Sequence, residues 1–225
     1  MLTVSDAWRT GWPGAAAGVL AMRGAANPAR HAELDKVTDE LERELRTRYP
    51  DRNALRALPA IQAYETYFKG FKKTYHVLLQ LESVAVKGKP IPRPGALVQA
   101  MFLAELKNQL LTAGHDLAAV EPPIRLDVAT GSERYVMYNG QEQSLKAGDM
   151  FIADAQGVIS DVIYGPDRRT RIGPGTRDVL YTVYAPPGIG LEAVRRHLED
   201  MRGHVTLVAP GARLDALEVY RTGQG

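Results

Sequence analysis

The sequence predicts an α+β domain, on three observations. Up to Leu111 the apolar residues recur every three or four positions, as a helix with one buried face requires. After Pro122-Pro123 the period drops to two, the spacing of a half-buried strand. Between Gly157 and Gly188, two β-branched and aromatic runs flank a loop crowded with charge. Helices gathered first and strands second mark an α+β architecture rather than alternating α/β units.

The elements follow in order. Gly18 to Met22 is short, apolar and closed by Arg23-Gly24, which predicts a first strand. Asn27-Pro28 supplies a cap residue and a first-turn proline, after which Leu34, Val37, Leu41 and Leu45 line one face of a helix. Its opposite face is solvated, with Glu42 and Arg46 as an ordinary surface pair. Further helices are predicted over Leu55 to Phe68, Tyr75 to Val86 and Ala96 to Leu111. Ile124, Leu126 and Val128 then alternate as a strand, and Tyr135 and Met137 lead into the turn Tyr138-Asn139-Gly140. Leu145 to Asp149 is a turn before a strand over Met150 to Ala153. A late helix over Leu191 to Met201 and a short strand over Val205 to Val208 complete the reading.

Composition sets limits. With 225 residues, 45% of them apolar, and no low-complexity stretch, residues 1–225 read as one domain with a full core. A formal charge of +2 excludes attraction to nucleic acid by the whole chain, so any basic footprint is local. The absence of cysteine removes thiolate nucleophiles, Cys-ligated zinc and disulfides, and fits a cytoplasmic protein. No signal peptide is legible, and the longest apolar run, Ala15 to Met22, is about half of the ~20 residues a membrane span needs.

Several chemistries are set aside. Gly188-Ile189-Gly190-Leu191-Glu192-Ala193 matches a dinucleotide fingerprint, but Pro186-Pro187 and the missing strand and helix alternation make it a plain turn into a helix. No nucleophile elbow and no phosphate-binding Gly-Lys-Ser/Thr loop occurs. No two histidines are spaced to share a metal, and Asp149 and Asp154 read as turn caps. No metal or cofactor is therefore expected. Tyr67 to Lys73 interleaves aromatics with lysines, which fits either base stacking or a helix end stopped by Gly70.

The candidate site is Gly165-Pro166-Asp167-Arg168-Arg169-Thr170-Arg171, where one carboxylate stands among three guanidiniums between strands. Such a loop suits an anionic ligand better than a core. His115, in the apparent loop Thr112 to Asp116, is the histidine placed to face a cleft.

Gly88-Lys89-Pro90-Ile91-Pro92 through Gly114-His115-Asp116-Leu117, then Tyr138 to Glu142, Leu145 to Asp149, Ile152-Ala153-Asp154 and Tyr164-Gly165-Pro166-Asp167, keep a characteristic order. In this the chain resembles the B3/B4 editing domain of the phenylalanyl-tRNA synthetase beta subunit, and more closely its free-standing versions. The resemblance implies a single α+β domain with early helices around a mixed, mostly antiparallel sheet or sandwich. It also implies trans-editing, in which water hydrolyses the ester of a mischarged aminoacyl-tRNA.

By the same resemblance, His115 lies at the pocket edge, Asp167 contacts the amino acid from the Gly165 turn, and Thr176 lies just beyond. Arg168, Arg169 and Arg171 would hold acceptor-end phosphates, and amides around Gly165 the oxyanion. The family's paired threonine and asparagine fall near Met101 to Ala104, which is apolar here, so tyrosine specificity does not carry over. Asp167 and His115 are expected to share one open hollow. A non-catalytic tRNA- or RNA-binding module of the same fold is the alternative, and a small-molecule hydrolase a third.

Overall fold

The computed structural model describes residues 2–222. A short strand β1 (Leu2–Val4) and helix α1 (Asp6–Gly11), neither of which the periodicity reveals, precede the anticipated β2 (Ala16–Arg23). Ser5 Oγ caps α1 by accepting the Trp8 amide at 3.0 Å. Six residues are too few to show a helical period, so only the cap could have marked them.

Helix α2 (Ala32–Arg48) buries Leu34, Leu41 and Leu45 as predicted. Its Glu42–Arg46 pair forms at 2.9 Å, yet Glu42 is buried and also accepts the Ile91 amide at 2.8 Å. The supposed surface charge therefore pins a distant loop. Pro59 splits the next predicted helix into α3 (Arg52–Arg56) and α4 (Pro59–Gly70), since a proline is tolerated at a helix start and not inside one. Then come α5 (His76–Leu81), a π-turn over Glu82–Val86, and α6 (Ala96–Asn108). Asn27 does not start α2: its Oδ1 accepts the Leu97 amide of α6 at 3.0 Å, and its Nδ2 donates to the Gly173 carbonyl at 2.8 Å. A cap was legible in Asn27, but the helix it serves lies far along the chain.

The predicted loop over 112–116 is strand β3 (Thr112–Asp116). Gly, His and Asp are poor strand formers alone, but β3 lies on the sheet edge and pairs along its length, which overrides propensity. Next come β4 (Ile124–Val128), the hairpin β5 (Arg134–Val136) and β6 (Glu142–Ser144), β7 (Met150–Asp154), β8 (Gly157–Asp161), the short β9 (Gly165–Pro166) and β10 (Val179–Ala185). Helix α7 (Leu191–Val208) absorbs the strand expected at Val205 to Val208, because Leu198, Met201 and Val205 extend its buried stripe. Strand β11 (Arg213–Arg221) follows, unforeseen because its residues are half-exposed and mixed in character.

The strands form a mixed sheet ordered β1-β4-β7-β8-β9, an antiparallel sheet ordered β11-β2-β10-β3, and the β5-β6 hairpin. Only β1 and β4 pair in parallel within the first sheet. The two larger sheets meet where Tyr184 of β10 donates to the Ser160 carbonyl of β8 at 3.0 Å. Helix α7 covers β2 so closely that a Cβ on Gly18 would lie 2.7 Å from Val194 Cγ1, which is why that strand carries a glycine. Among the described residues the result is a single α+β domain of seven α-helices around a mixed and an antiparallel sheet.

Candidate functional site

The turn that carries Asp167 is built by another aspartate. Asp161 Oδ1, at the end of β8, accepts the amides of Tyr164 at 2.8 Å and Gly165 at 2.9 Å and the Tyr135 hydroxyl at 3.2 Å. Gly165 bends the chain at φ +88°, a left-handed value that favours glycine. Asp167 is then registered from behind by its amide, which donates to the Ile159 carbonyl at 2.8 Å.

Asp167 and His115 belong to one hydrogen-bonded chain, joined by a residue that sequence reasoning did not single out. Thr170 gives both its amide, at 3.0 Å, and its hydroxyl proton to Asp167 Oδ1. The oxygen of that hydroxyl lies 2.7 Å from His115 Nδ1. Because Thr170 donates to the carboxylate, it accepts from His115, which assigns the proton to Nδ1 and leaves a lone pair on Nε2. His115 Nε2 is buried and, among the described residues, has no hydrogen-bond partner. Burial holds the imidazole down to about 3, so it is neutral at physiological pH. The same burial raises Asp167, against the opposing effect of its Thr170 bonds.

The remaining predicted residues divide. Arg169 is not free for a phosphate: it bonds Asp154 Oδ1 at 2.8 Å and the Ala119 carbonyl at 2.7 Å, and lies 3.7 Å from Asp167 Oδ2. Thr176 donates to Asp116 Oδ2 at 2.7 Å and accepts the Gly173 amide at 2.9 Å, so its hydroxyl pins the loop. The Gly165 and Tyr164 amides, expected at the oxyanion, are committed to Asp161. Arg168 and Arg171 are exposed, and among the described residues neither holds a carboxylate. Arg168 lies over the β5-β6 turn, its Nη1 3.2 Å from where a Cβ on Gly140 would stand.

The open hollow expected between Asp167 and His115 is filled. Their residue exposures are 4% and 0%, and Thr170 between them is at 0%. Alongside, the loop folds onto β3: a Cβ on Gly114 would meet Ile172 Cδ1 at 2.8 Å and Met101 Sδ at 3.2 Å. Met101, the position where the family resemblance fails, thus shares a contact with the loop's own isoleucine. Tyr67 and Phe68 are likewise buried, which excludes them from base stacking and leaves their segment as a helix end.

Asp149 is no simple turn cap. It is fully buried, accepts the Tyr67 hydroxyl at 2.5 Å and the Ile163 amide at 3.3 Å, and feels the charge of the Asp161 carboxyl. Burial pushes both carboxyls up, Asp149 further through the charge of Asp161, and burial alone pushes Glu105 up to about 8 from its ordinary 4.5. Carboxyls raised in the folded state stabilise it fully below their unfolded values, and that contribution is lost as pH rises through the folded ones. His115 and His197, held down to about 3 by burial, and His76 and His204, lowered by the same cause, act oppositely: their contribution is full above 6.5 and lost as pH falls. The thermal midpoint is expected to peak near pH 6 and fall by on the order of 5 °C by pH 9. Glu105→Gln, which keeps an acceptor for the Thr112 amide, should flatten the alkaline side alone in calorimetric scans. An unchanged alkaline slope would remove Glu105 from this role.

Among the described residues no helix is long and apolar enough to cross a membrane, and no group of three or more His, Asp or Glu is placed to hold a metal. No family model matches the chain, and no curated protein is detectably similar to it. Among solved structures, an N-terminal fragment of the phenylalanyl-tRNA synthetase beta-subunit from Pyrococcus horikoshii aligns over 97% of this chain with a TM-score of 0.53 and 13% identity. The alignment covers 53% of that fragment, so this chain spans about half its length. At that identity the likeness is one of fold. A TILS C-terminal domain aligns over 33% of this chain and 69% of its own at a TM-score of 0.29 and 18% identity, too slight a likeness to bear on the fold.

Proposed function

We propose that this chain acts on tRNA, as one domain over residues 1–225 that hydrolyses the ester of mischarged aminoacyl-tRNA in trans. The observation that carries this reading is the Asp167–Thr170–His115 chain, which aims a neutral, unpartnered Nε2 lone pair from a rigid strand. The likeness in fold to the synthetase fragment supports an RNA substrate. A buried imidazole held near 3 is a weak base, so its part is to accept a hydrogen bond from water and orient it towards the ester carbonyl. The water oxygen bonds to the carbonyl carbon, the bond to the ribose oxygen breaks, and the water's proton passes to that oxygen with help from the neighbouring ribose hydroxyl. Exposed Arg168 and Arg171 meet the acceptor-end phosphates. For the substrate to reach Nε2, the segment from Ile172 to Thr176 has to lift from β3 while Thr170 stays bonded to His115 and Asp167.

A second reading, an RNA-binding module without chemistry, is favoured by one observation: Ile172 and Met101 occupy the space above Gly114. A panel of matched and mismatched aminoacyl-tRNAs, followed by amino-acid release, separates the two. Wild-type protein is expected to release amino acid from at least one mismatched species, and Asp167→Ala to do so roughly tenfold or more slowly. Release no faster than the uncatalysed rate by both proteins leaves the binding module, and catalysed release that Asp167→Ala does not slow defeats the proposed site.

A further inference from the structure

The turn that ends α4 gathers cations that the fold does not neutralise. Lys36, Lys87 and Lys107 each hold a carboxylate, whereas among the described residues Lys69, Lys72 and Lys73 hold none. Lys69 and Lys73 line an open cleft of about 560 Å³ with Gln62, Thr66 and Thr74. The carboxylate in that wall, Glu65, is taken by Arg56 at 2.8 Å, so the two lysines leave the cleft positive. Lys73 Nζ also lies 5.2 Å from the centre of the Tyr164 ring, and Tyr164 directly precedes Gly165-Pro166-Asp167. The cleft therefore adjoins the candidate site.

Lysines near a helix C-terminus also suit its dipole, which is the plainer explanation. It does not account for Lys72. That residue stands at φ +56°, a left-handed conformation in which glycine is the least strained choice. The helix is already ended by backbone, through the Lys72 amide on the Lys69 carbonyl at 3.0 Å and the Lys73 amide on the Phe68 carbonyl at 3.0 Å. A lysine here accepts strain and adds charge that the stop does not need.

We propose that this cleft binds the sugar-phosphate backbone of the tRNA body, while the Arg168 and Arg171 edge receives the 3′ end; this rests on the reading of the chain as a tRNA-acting protein. The Thr74 hydroxyl, the Gln62 amide and ammonium groups without a carboxylate suit phosphate oxygens, whereas the Thr66 hydroxyl is given to the Gln62 carbonyl at 2.8 Å. The wall offers no exposed aromatic anchor of the kind that dominates protein interfaces, since its Tyr75 is fully buried.

The test is the affinity for deacylated tRNA at several salt concentrations, for wild type, the double variant Lys69→Glu/Lys73→Glu and the single variant Lys72→Gly. All three positions are exposed, and circular dichroism checks the fold. The double variant is expected to bind at least tenfold more weakly, with a log–log salt slope shallower by about 2. Lys72→Gly is expected to raise the thermal midpoint and weaken binding a fewfold, opposite signs that a purely structural lysine does not produce. Unchanged tRNA affinity in both variants overturns the proposal, as does wild type that binds no tRNA. Tighter binding to polyglutamate than to tRNA at equal salt, lost in the double variant, overturns the assignment to RNA. Ester cleavage is read separately, on an aminoacylated 3′-terminal fragment too short to reach the cleft, and the double variant should cleave it as wild type does. Charge-sensitive tRNA binding without cleavage by wild type keeps the cleft and removes the hydrolase; cleavage with charge-insensitive binding does the reverse.

Discussion

His115→Phe is expected to slow release of amino acid from mischarged tRNA by about 100-fold while the protein stays folded. A flat ring still fills the buried position, larger by one ring atom, but both nitrogens are lost. What the fold gives up is the bond to Thr170 at 2.7 Å, about 1 kcal/mol by the usual net worth of a buried pair. In return it no longer buries Nε2 without a partner, which offsets part of that loss. Urea denaturation should therefore show a midpoint close to wild type, while the rate, taken from single turnovers on one tRNA, falls far. Undiminished release by this variant would show that the imidazole takes no part, and the proposed mechanism would fail with it.

Asp161→Ala is expected to have the largest effect on stability, a loss of about 3–5 kcal/mol read from the urea midpoint. The Tyr164 and Gly165 amides and the Tyr135 hydroxyl lose an acceptor together, in a place where Asp161 itself is at 1% exposure. The loss stays below the sum of three charge-assisted bonds because the substitution also removes a carboxyl facing Asp149. Asp161→Asn, which keeps an acceptor oxygen, should cost less than half as much. A shift under about 1 kcal/mol in the alanine variant would mean that the Gly165 turn is held by something else.

Much of this arrangement could be read from residue spacing alone. Strand β10 is a run of β-branched and aromatic residues buried at every position, helix α2 carries its apolar residues every three to four, and both stand where the sequence placed them. The loop between β9 and β10 was legible because Gly165-Pro166 and the three arginines suit neither period. What spacing cannot convey is which polar groups find each other. His115 reads as a loop residue because its neighbours are Gly114 and Asp116, and only pairing with β10 makes it a strand residue. Arg168, Arg169 and Arg171 look equivalent in the sequence. Arg169 alone meets Asp154, which β7 delivers to it, and so becomes a brace while the other two stay outside. Thr170 was overlooked because a threonine between arginines has no pattern of its own. Its role arises only when β3 arrives beside it, with the Asp116 amide on the Thr170 carbonyl at 2.7 Å.

Strand β2 lies between β10 and β11, both of which come from the far end of the chain. As the polypeptide leaves the ribosome, this stretch, apolar up to Arg23, emerges before both neighbours and meets neither until translation has passed Val179 and then Arg213. Such non-local pairing makes folding slow and leaves a sticky nascent segment in the meantime. The early helices, which form from local contacts, are the elements available to shelter it during that wait.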